Sequence, residues 1–378
     1  MNASDTQKTE LAVQNLEPQP GTEKKLGFLS FGHWAEIPGS RVNSASDSLH
    51  QAIDLAVGAE DIGLDGAFFR VHHFDQQQAT PYPLLSAIAA KTSRIELGTG
   101  VIDMRYENPL YLAEEAAALD QIADGRVALG VSRGSPEIAQ RGWESFGYRD
   151  ESDSRGGDMA REKFYRFLDA IDGKGMATAA PEGEQYPLMV QPGSPLPIFP
   201  HSEGLRQRIW WGAGSNYSAE QTARDGVNMM SSTLVFESGD RSFGEIQAEQ
   251  IARYHAAWKE AGHSWTFRVS VSRSIFPLLS AKDRGMYGLE AYSTDQVGHL
   301  DSGVATFGRS YAASPDELIE QLKADPAIAA ADTLLLTIPN QLGFKENLSI
   351  ISNFAKYVAP ELGWVPADQG LPTGYPID

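Results

Sequence analysis

Phe68-Phe69-Arg70-Val71-His72-His73-Phe74 is a short apolar run that stops abruptly at cationic and titratable side chains, and Val127-Ala128-Leu129-Gly130-Val131-Ser132-Arg133-Gly134 repeats the device further along. A buried parallel strand is a nearly continuous apolar stretch, and in a barrel its carboxyl end is where functional groups emerge. Both segments therefore point to an enzyme with its site on one rim of a parallel sheet. Outward from them, apolar runs bounded by Gly, Pro, Asp or Ser predict further strands. The full set is 26–31, 66–71, 95–101, 127–131, 208–213, 227–230, 267–276 and 333–337. Helices are predicted between them, including 47–62, with Leu49, Ile53, Ala56, Val57 and Ala59 at helical spacing, and 110–122, with Leu112, Ala116 and Leu119. Eight strands alternating with helices predict an α/β fold of the (β/α)8 TIM-barrel type with insertions at the C-terminal face; a doubly wound sheet with a second domain is the alternative.

The chain has 378 residues, 42% of them hydrophobic, which is ample for a large core. Fifty acidic against 31 basic residues give a formal charge of -19, a field that disfavours nucleic acid and anionic lipid surfaces. With no cysteine there is no disulfide and no thiolate metal site, a usage that fits a cytoplasmic protein. Residues 1–25 are mostly polar and are expected to form a flexible N-terminal tail, without a signal-peptide core. Residues 26–378 are expected to form one domain. No stretch approaches the roughly 20 apolar residues of a membrane span. Two segments break the βα rhythm. Residues 173–205, rich in Pro and Gly, are expected as an insertion over the surface or across the barrel mouth. Residues 281–306, which contain Tyr287, Tyr292 and His299, are expected as a mobile lid, with a partner-binding loop as the other reading. Substrate-pocket shape is expected to depend on both segments and on residues 33–46.

Adjacent residues of a strand face opposite sides, so His72 and His73 are not expected to share a metal ion, and no metal site is expected. One of the two would face the barrel mouth, either as a hydrogen-bonded structural group or as a proton donor or acceptor. Gly130-Val131-Ser132-Arg133-Gly134 has the form of a nucleophile elbow. A hydrolase would need Ser132 joined by Asp225 or Asp295 and by His299, with a helix opening at Pro136. The other reading uses Arg133, whose guanidinium beside glycine backbone suits a phosphate. Trp210 to Ser218 likewise ends in small residues, with a helix predicted to start near Ser218 and to offer N–H groups to an anion. A plain left-handed turn is its structural alternative. A dinucleotide motif would need glycine at Tyr217 and an acidic residue after Met230, where Ser231-Ser232-Thr233 stands. Leu97-Gly98-Thr99-Gly100-Val101 places small residues where a flat ring system can lie against backbone. In 120–126, Gly125 is expected to end a helix and Arg126 to pair at the barrel's bottom.

Taken together these residues resemble the bacterial luciferase-like flavin-dependent monooxygenases. The likeness rests on His72-His73-Phe74, Gly98-Thr99, Leu119-Asp120-Gln121 with Gly125-Arg126, Arg133-Gly134, Gly214-Ser215 with Ser218, and Ser314-Pro315-Asp316-Glu317-Leu318. It implies a TIM barrel, usually a homodimer, that takes reduced FMN from a separate flavin reductase, adds O2 to give a flavin peroxide, and oxidises a small organic substrate. On that resemblance Arg133, Ser215, Ser218 and the amide of Gly214 would hold the FMN phosphate. Gly100 and Val101, often joined by a cis bond in relatives, would back the flavin ring, and His72 would stand near its reacting centre as acid or base. His73, Asp103, Arg105 and Tyr106 are expected in the substrate pocket. Val71 stands where many relatives carry Glu, which sets aldehyde-oxidising, light-emitting chemistry aside. Hydride transfer with the deazaflavin F420 on the same fold, and a non-catalytic partner subunit, are the rival readings.

Overall fold

The computed structural model describes residues 24–134, 137–186, 189–236, 241–300 and 303–367. Nearly all of the expected N-terminal tail lies outside these residues, as does Pro136. The first strand already begins at Lys25, and Lys24 bridges to Trp364.

Eight parallel strands close into a barrel. In chain order they are β1 Lys25–Ser30, β2 Gly66–Phe69, β3 Glu96–Thr99, β4 Val127–Ser132, β5 Ile209–Ala213, β6 Asn228–Ser231, β7 Val269–Arg273 and β8 Thr333–Ile338. Each pairs with its successor, and β8 pairs with β1 through Lys25–Thr333 to Ser30–Ile338. The fold is therefore the (β/α)8 barrel. The predicted segment 267–276 divides, because Ile275–Pro277 leaves the barrel to pair with Tyr311–Ala313.

The alternation of strand side chains builds two cores. Phe68 points into the barrel with Leu29, Ala128, Trp210, Met230 and Leu335, whereas Phe69 and Phe28 meet edge to face in the layer beneath the helices. Gly98 makes room for the inner layer, since a Cβ there would stand 2.3 Å from the Phe68 ring. Below that layer Arg268 pairs with Glu96 at 2.6 Å and lies 4.7 Å from the Trp210 ring centroid, so the amino-terminal end is filled by a buried ion pair.

The helices are α1 Ala45–Ile62, α2 Pro81–Ala89, α3 Pro109–Ile122, α4 Gly157–Ile171, α5 Asn216–Arg224, α6 Phe243–Ala261, α7 Ala281–Tyr287, α8 Pro315–Lys323, α9 Pro326–Ala330 and α10 Phe344–Tyr357. Most of them begin where the sequence supplies caps, with α2, α4 and α10 the exceptions. Ser44 with Asp47 and Ser242 with Glu245 close capping boxes on α1 and α6. The helix expected near Ser218 starts two residues earlier, because Ser215 serves as its N-cap. After α3, Asp124 and Gly125 turn the chain left-handed, and Arg126 donates to the carbonyls of Ala89, Thr92, Ile95 and Ala123. The buried carboxylate of Asp120 takes the ion pair at this end, from Arg208 at 2.5 Å.

The two irregular segments lie at opposite ends of the barrel. Residues 173–205 join α4 to β5, so topology puts them at the amino-terminal end of the strands. His201 and Ser202 tie them there to Gln121 and Asp120 of α3, and none of the described ones reaches the central cavity. The expected position across the mouth is corrected accordingly, and residues 33–46 do not line the cavity either. Residues 281–306 follow β7 on the carboxyl-terminal face. They hold α7 and one strand of an antiparallel hairpin, Gln296–Leu300 with Gly303–Phe307, whose second strand also pairs with Leu234–Val235.

Candidate active site

The carboxyl ends of all eight strands surround one cavity of about 1050 Å³. That is large for a single small-molecule site, which typically occupies about 300–1000 Å³. Arg70, Arg133, Arg155, Arg161, Arg273 and Arg309 line it against the carboxyls of Asp103, Glu137 and Asp158. In a chain of charge -19, this concentration of guanidinium groups makes the cavity locally cationic.

Arg133 leaves the end of β4 at this rim, and among the described residues no carboxylate pairs with it. Burial, and then Arg105 and Arg155 nearby, weaken its hold on its proton, yet a guanidinium stays charged in proteins. Gly134 follows with φ +89, and a Cβ there would come within 2.0 Å of Asp103 Oδ2, so the Arg-Gly pair is dictated by backbone and space. From the next strand, Gly214, Ser215 and Ser218 line the same cavity. Ser215 Oγ accepts from Ser218 N at 3.2 Å, and Ser218 Oγ accepts from Trp211 Nε1 at 3.1 Å. Each hydroxyl accepts in that bond and keeps its own hydrogen for another acceptor. The first-turn amides of α5 add further donors. Arg161, from the first turns of α4, lies 3.9 Å from the Trp211 ring centroid and pairs with Asp225 at 2.6 Å.

The Gly100–Val101 peptide bond is cis, both residues line the cavity, and Val101 packs on the inner core. Thr99 lies behind them: its hydroxyl donates to Gly130 O and accepts from Gly130 N, stitching β3 to β4.

His72 lines the cavity and His73 does not, although both lie in the irregular stretch after β2, where Arg70 and Val71 line it as well. Burial, and then Arg70 beside it, push the His72 imidazole down to about 4, so it is neutral at pH 7. His73 stacks on Tyr106 at 4.1 Å and meets Phe146 edge to face. Of the four residues expected in a substrate pocket, only Asp103 reaches the cavity. Arg105 stands behind it, 4.2 Å from the Trp143 ring centroid, and Tyr106 sits in the aromatic cluster with His73.

The hydrolase constellation is not assembled. Ser132 Oγ accepts from Gly134 N, Asp225 is engaged by Arg161 and Tyr165, and Asp295 accepts from the backbone of Phe243 and Arg309. Among the described residues, no group of three or more His, Asp or Glu side chains is placed to hold a metal ion, and no helix is long and apolar enough to cross a membrane. Glu137, Arg155 and Arg161 were not singled out in the sequence. Glu137 follows Gly134-Ser135-Pro136 in the sequence, Arg155 precedes α4 and Arg161 lies in its first turns, positions whose orientation no local pattern reveals.

A closed (β/α)8 barrel with one arginine-lined cavity at the carboxyl ends of its strands places the chain among the TIM-barrel proteins. The chain belongs to the luciferase-like monooxygenase family, whose model matches residues 27–284. It is 26% identical over 231 residues to the alkanal monooxygenase alpha chain of Photobacterium leiognathi, covering 61% of either chain. It is 30% identical over 218 residues to the F420-dependent glucose-6-phosphate dehydrogenase of Kineococcus radiotolerans, covering 51% of this chain and 60% of that one. The chain thus spans about three fifths of these relatives' own length. Among solved structures, the oxygenating constituent of 3,6-diketocamphane monooxygenase from Pseudomonas putida, in complex with FMN, superposes with a TM-score of 0.61 at 18% identity, covering 89% of this chain and 98% of that one. That likeness shows the fold.

Proposed function

We propose that this chain is a flavin-dependent monooxygenase that uses reduced FMN and O2 to oxidise a small organic substrate. The observation that carries the reading is Arg133, a cation at the cavity rim with no carboxylate partner among the described residues, beside the capped amino terminus of α5. The donor set fits a phosphate: a guanidinium, two hydroxyls and helix-start amides. Arg133, Ser215, Ser218 and the Gly214 amide would hold that phosphate, and Gly100 with Val101 would back the ring. Reduced FMN, when bound, would supply the electrons that activate dioxygen. His72, a neutral imidazole at pH 7, would offer one N–H and one acceptor nitrogen to the reacting groups. Phe236, Phe243, Leu300 and Phe307 add apolar wall to the cavity and would limit water. On this reading the protein works as a cytoplasmic homodimer, with residues 26–378 as one domain, and a separate flavin reductase feeds it.

The second reading, F420-dependent hydride transfer, is favoured by the likeness to an F420-dependent dehydrogenase. Anaerobic titration of the cofactor-free protein with reduced FMN and, separately, with reduced F420 separates the two. Saturable binding of reduced FMN, followed by oxygen-dependent turnover of a substrate, supports the first. Binding of F420 alone replaces it with the second, and binding of neither revives the non-catalytic partner.

A further inference from the structure

Two carboxyls meet at the cavity wall from distant parts of the chain. Asp103 follows β3 and Glu137 follows β4; both line the cavity, and their side chains are 5% and 4% exposed. Arg105 stands between them. Its Nε donates to Asp103 Oδ1 at 3.0 Å and its Nη2 to Asp103 Oδ2 at 2.6 Å, whereas Glu137 Oε1 is 3.7 Å from Nη2. Tyr106 Oη donates to Glu137 Oε2 at 2.5 Å. One guanidinium cannot fully compensate two buried carboxyls, and its short bonds go to Asp103.

Glu137 is therefore the carboxyl placed to keep a proton. Burial pushes it up to about 7 and Asp103 adds to the rise, against the Tyr106 hydroxyl and Arg105, which favour the carboxylate. Arg70, from the end of β2, is the other charged group that faces it. His72, neutral at pH 7, has no imidazolium proton to give, and a general acid works best when its pKa lies near the working pH.

Resting on the reading of this cavity as the active site, we propose that Glu137 is its proton donor, giving its carboxyl proton to a substrate oxygen that gains negative charge, with Tyr106 and Arg105 as positioning residues. The Glu137 O–H bond breaks and an O–H bond forms on the substrate oxygen. The electron pair stays on the Glu137 carboxylate, which the Tyr106 hydroxyl and the Arg105 guanidinium hold. Water then returns a proton to it.

Infrared titration of the cofactor-free protein across neutral pH reads the carboxylic-acid carbonyl band directly. Glu107 also titrates near 7 and contributes a component present in both proteins, so the signal is the difference between the unaltered protein and Glu137→Gln. A difference component that disappears with a midpoint of about 7, and whose midpoint moves up in Tyr106→Phe and down in Asp103→Asn, is the expected result. Glu137→Gln is expected to bind reduced FMN as the unaltered protein does, to lower kcat about 100-fold or more, and to lose the alkaline fall of kcat/KM. The same band in Glu137→Gln as in the unaltered protein, or an upward shift in Asp103→Asn, overturns the proposal. The two readings fail separately. A Glu137 band in a protein that binds no reduced flavin overturns the flavin reading and leaves the proton donor standing. Flavin binding without that band does the reverse.

Discussion

On the proposed reading, Arg133 and His72 would divide the work at the residue scale between charge and neutrality. A guanidinium in no ion pair among the described residues, with Asp103 and Asp153 near enough only to favour its charge, gains from an arriving phosphate, and charge-assisted hydrogen bonds contribute about 1.5–3 kcal/mol each. Arg133→Ala is therefore expected to weaken reduced-FMN binding by about 10- to 100-fold in a fluorescence titration, while Arg133→Lys, a point charge without the planar fork, recovers only part of it. His72 titrates near 4, because burial and Arg70 both disfavour the imidazolium. Its ring carbon and nitrogen resonances are expected to stay constant from pH 8 down to below the ordinary histidine range of about 6.5, a flatness that a ring midpoint near 6.5 would disprove. Both residues were legible in the sequence, because each sits where an apolar run ends. Glu137 was not: its meaning comes from Asp103 and Tyr106, which reach it only when the loops after β3 and β4 fold side by side.

At the scale of the element, α5 would couple stability to binding on the proposed reading. Ser215 caps it through the amide of Ser218, and a lost cap costs about 1 kcal/mol. Ser215→Ala is expected to lower the melting temperature modestly and to weaken FMN binding together, whereas Ser215→Gly is expected to spare the helix more than the binding. Asp120 is the larger element-scale liability. It is fully buried, and it accepts from Arg208, Ser202 and the Val127 amide. Asp120→Ala strands a buried guanidinium and is expected to destabilise the fold by about 3–5 kcal/mol in denaturant unfolding. Periodicity located α1 and α3 to within two residues, since caps and helical spacing are local signals. Of the two positions open to 173–205, over the surface or across the mouth, composition could not choose, because it reports irregularity without reporting an end of the barrel. The order helix, segment, strand settles it, because a connection into a strand's start lies at the amino-terminal face.

For the molecule as a whole, burial of imidazoles ties stability to pH. His255, packed on Phe267 and Tyr254, titrates near 4 because burial disfavours its charged form. Unfolded, it would take its proton near 6.5, so between those values the unfolded state binds more protons and gains on the folded one as pH falls. The melting temperature of the unaltered protein relative to His255→Gln is expected to drop between pH 7 and pH 5, and an unchanged difference would remove His255 from this account. Glu107, raised to about 7 by burial and by Glu115, contributes with the opposite sign, which is why the variant comparison is the informative one. By itself the sequence determined the eight-stranded barrel, the rim on which the cavity opens and the Arg133 guanidinium that lines it, because helical spacing and the ends of apolar runs are written in neighbouring residues. Only the tertiary structure decided which side chains share the cavity, that His73, Arg105 and Tyr106 stand behind its wall, and that Glu137 meets Asp103 across one arginine. Those relations depend on closing the sheet into a ring, which brings together residues that no local pattern connects.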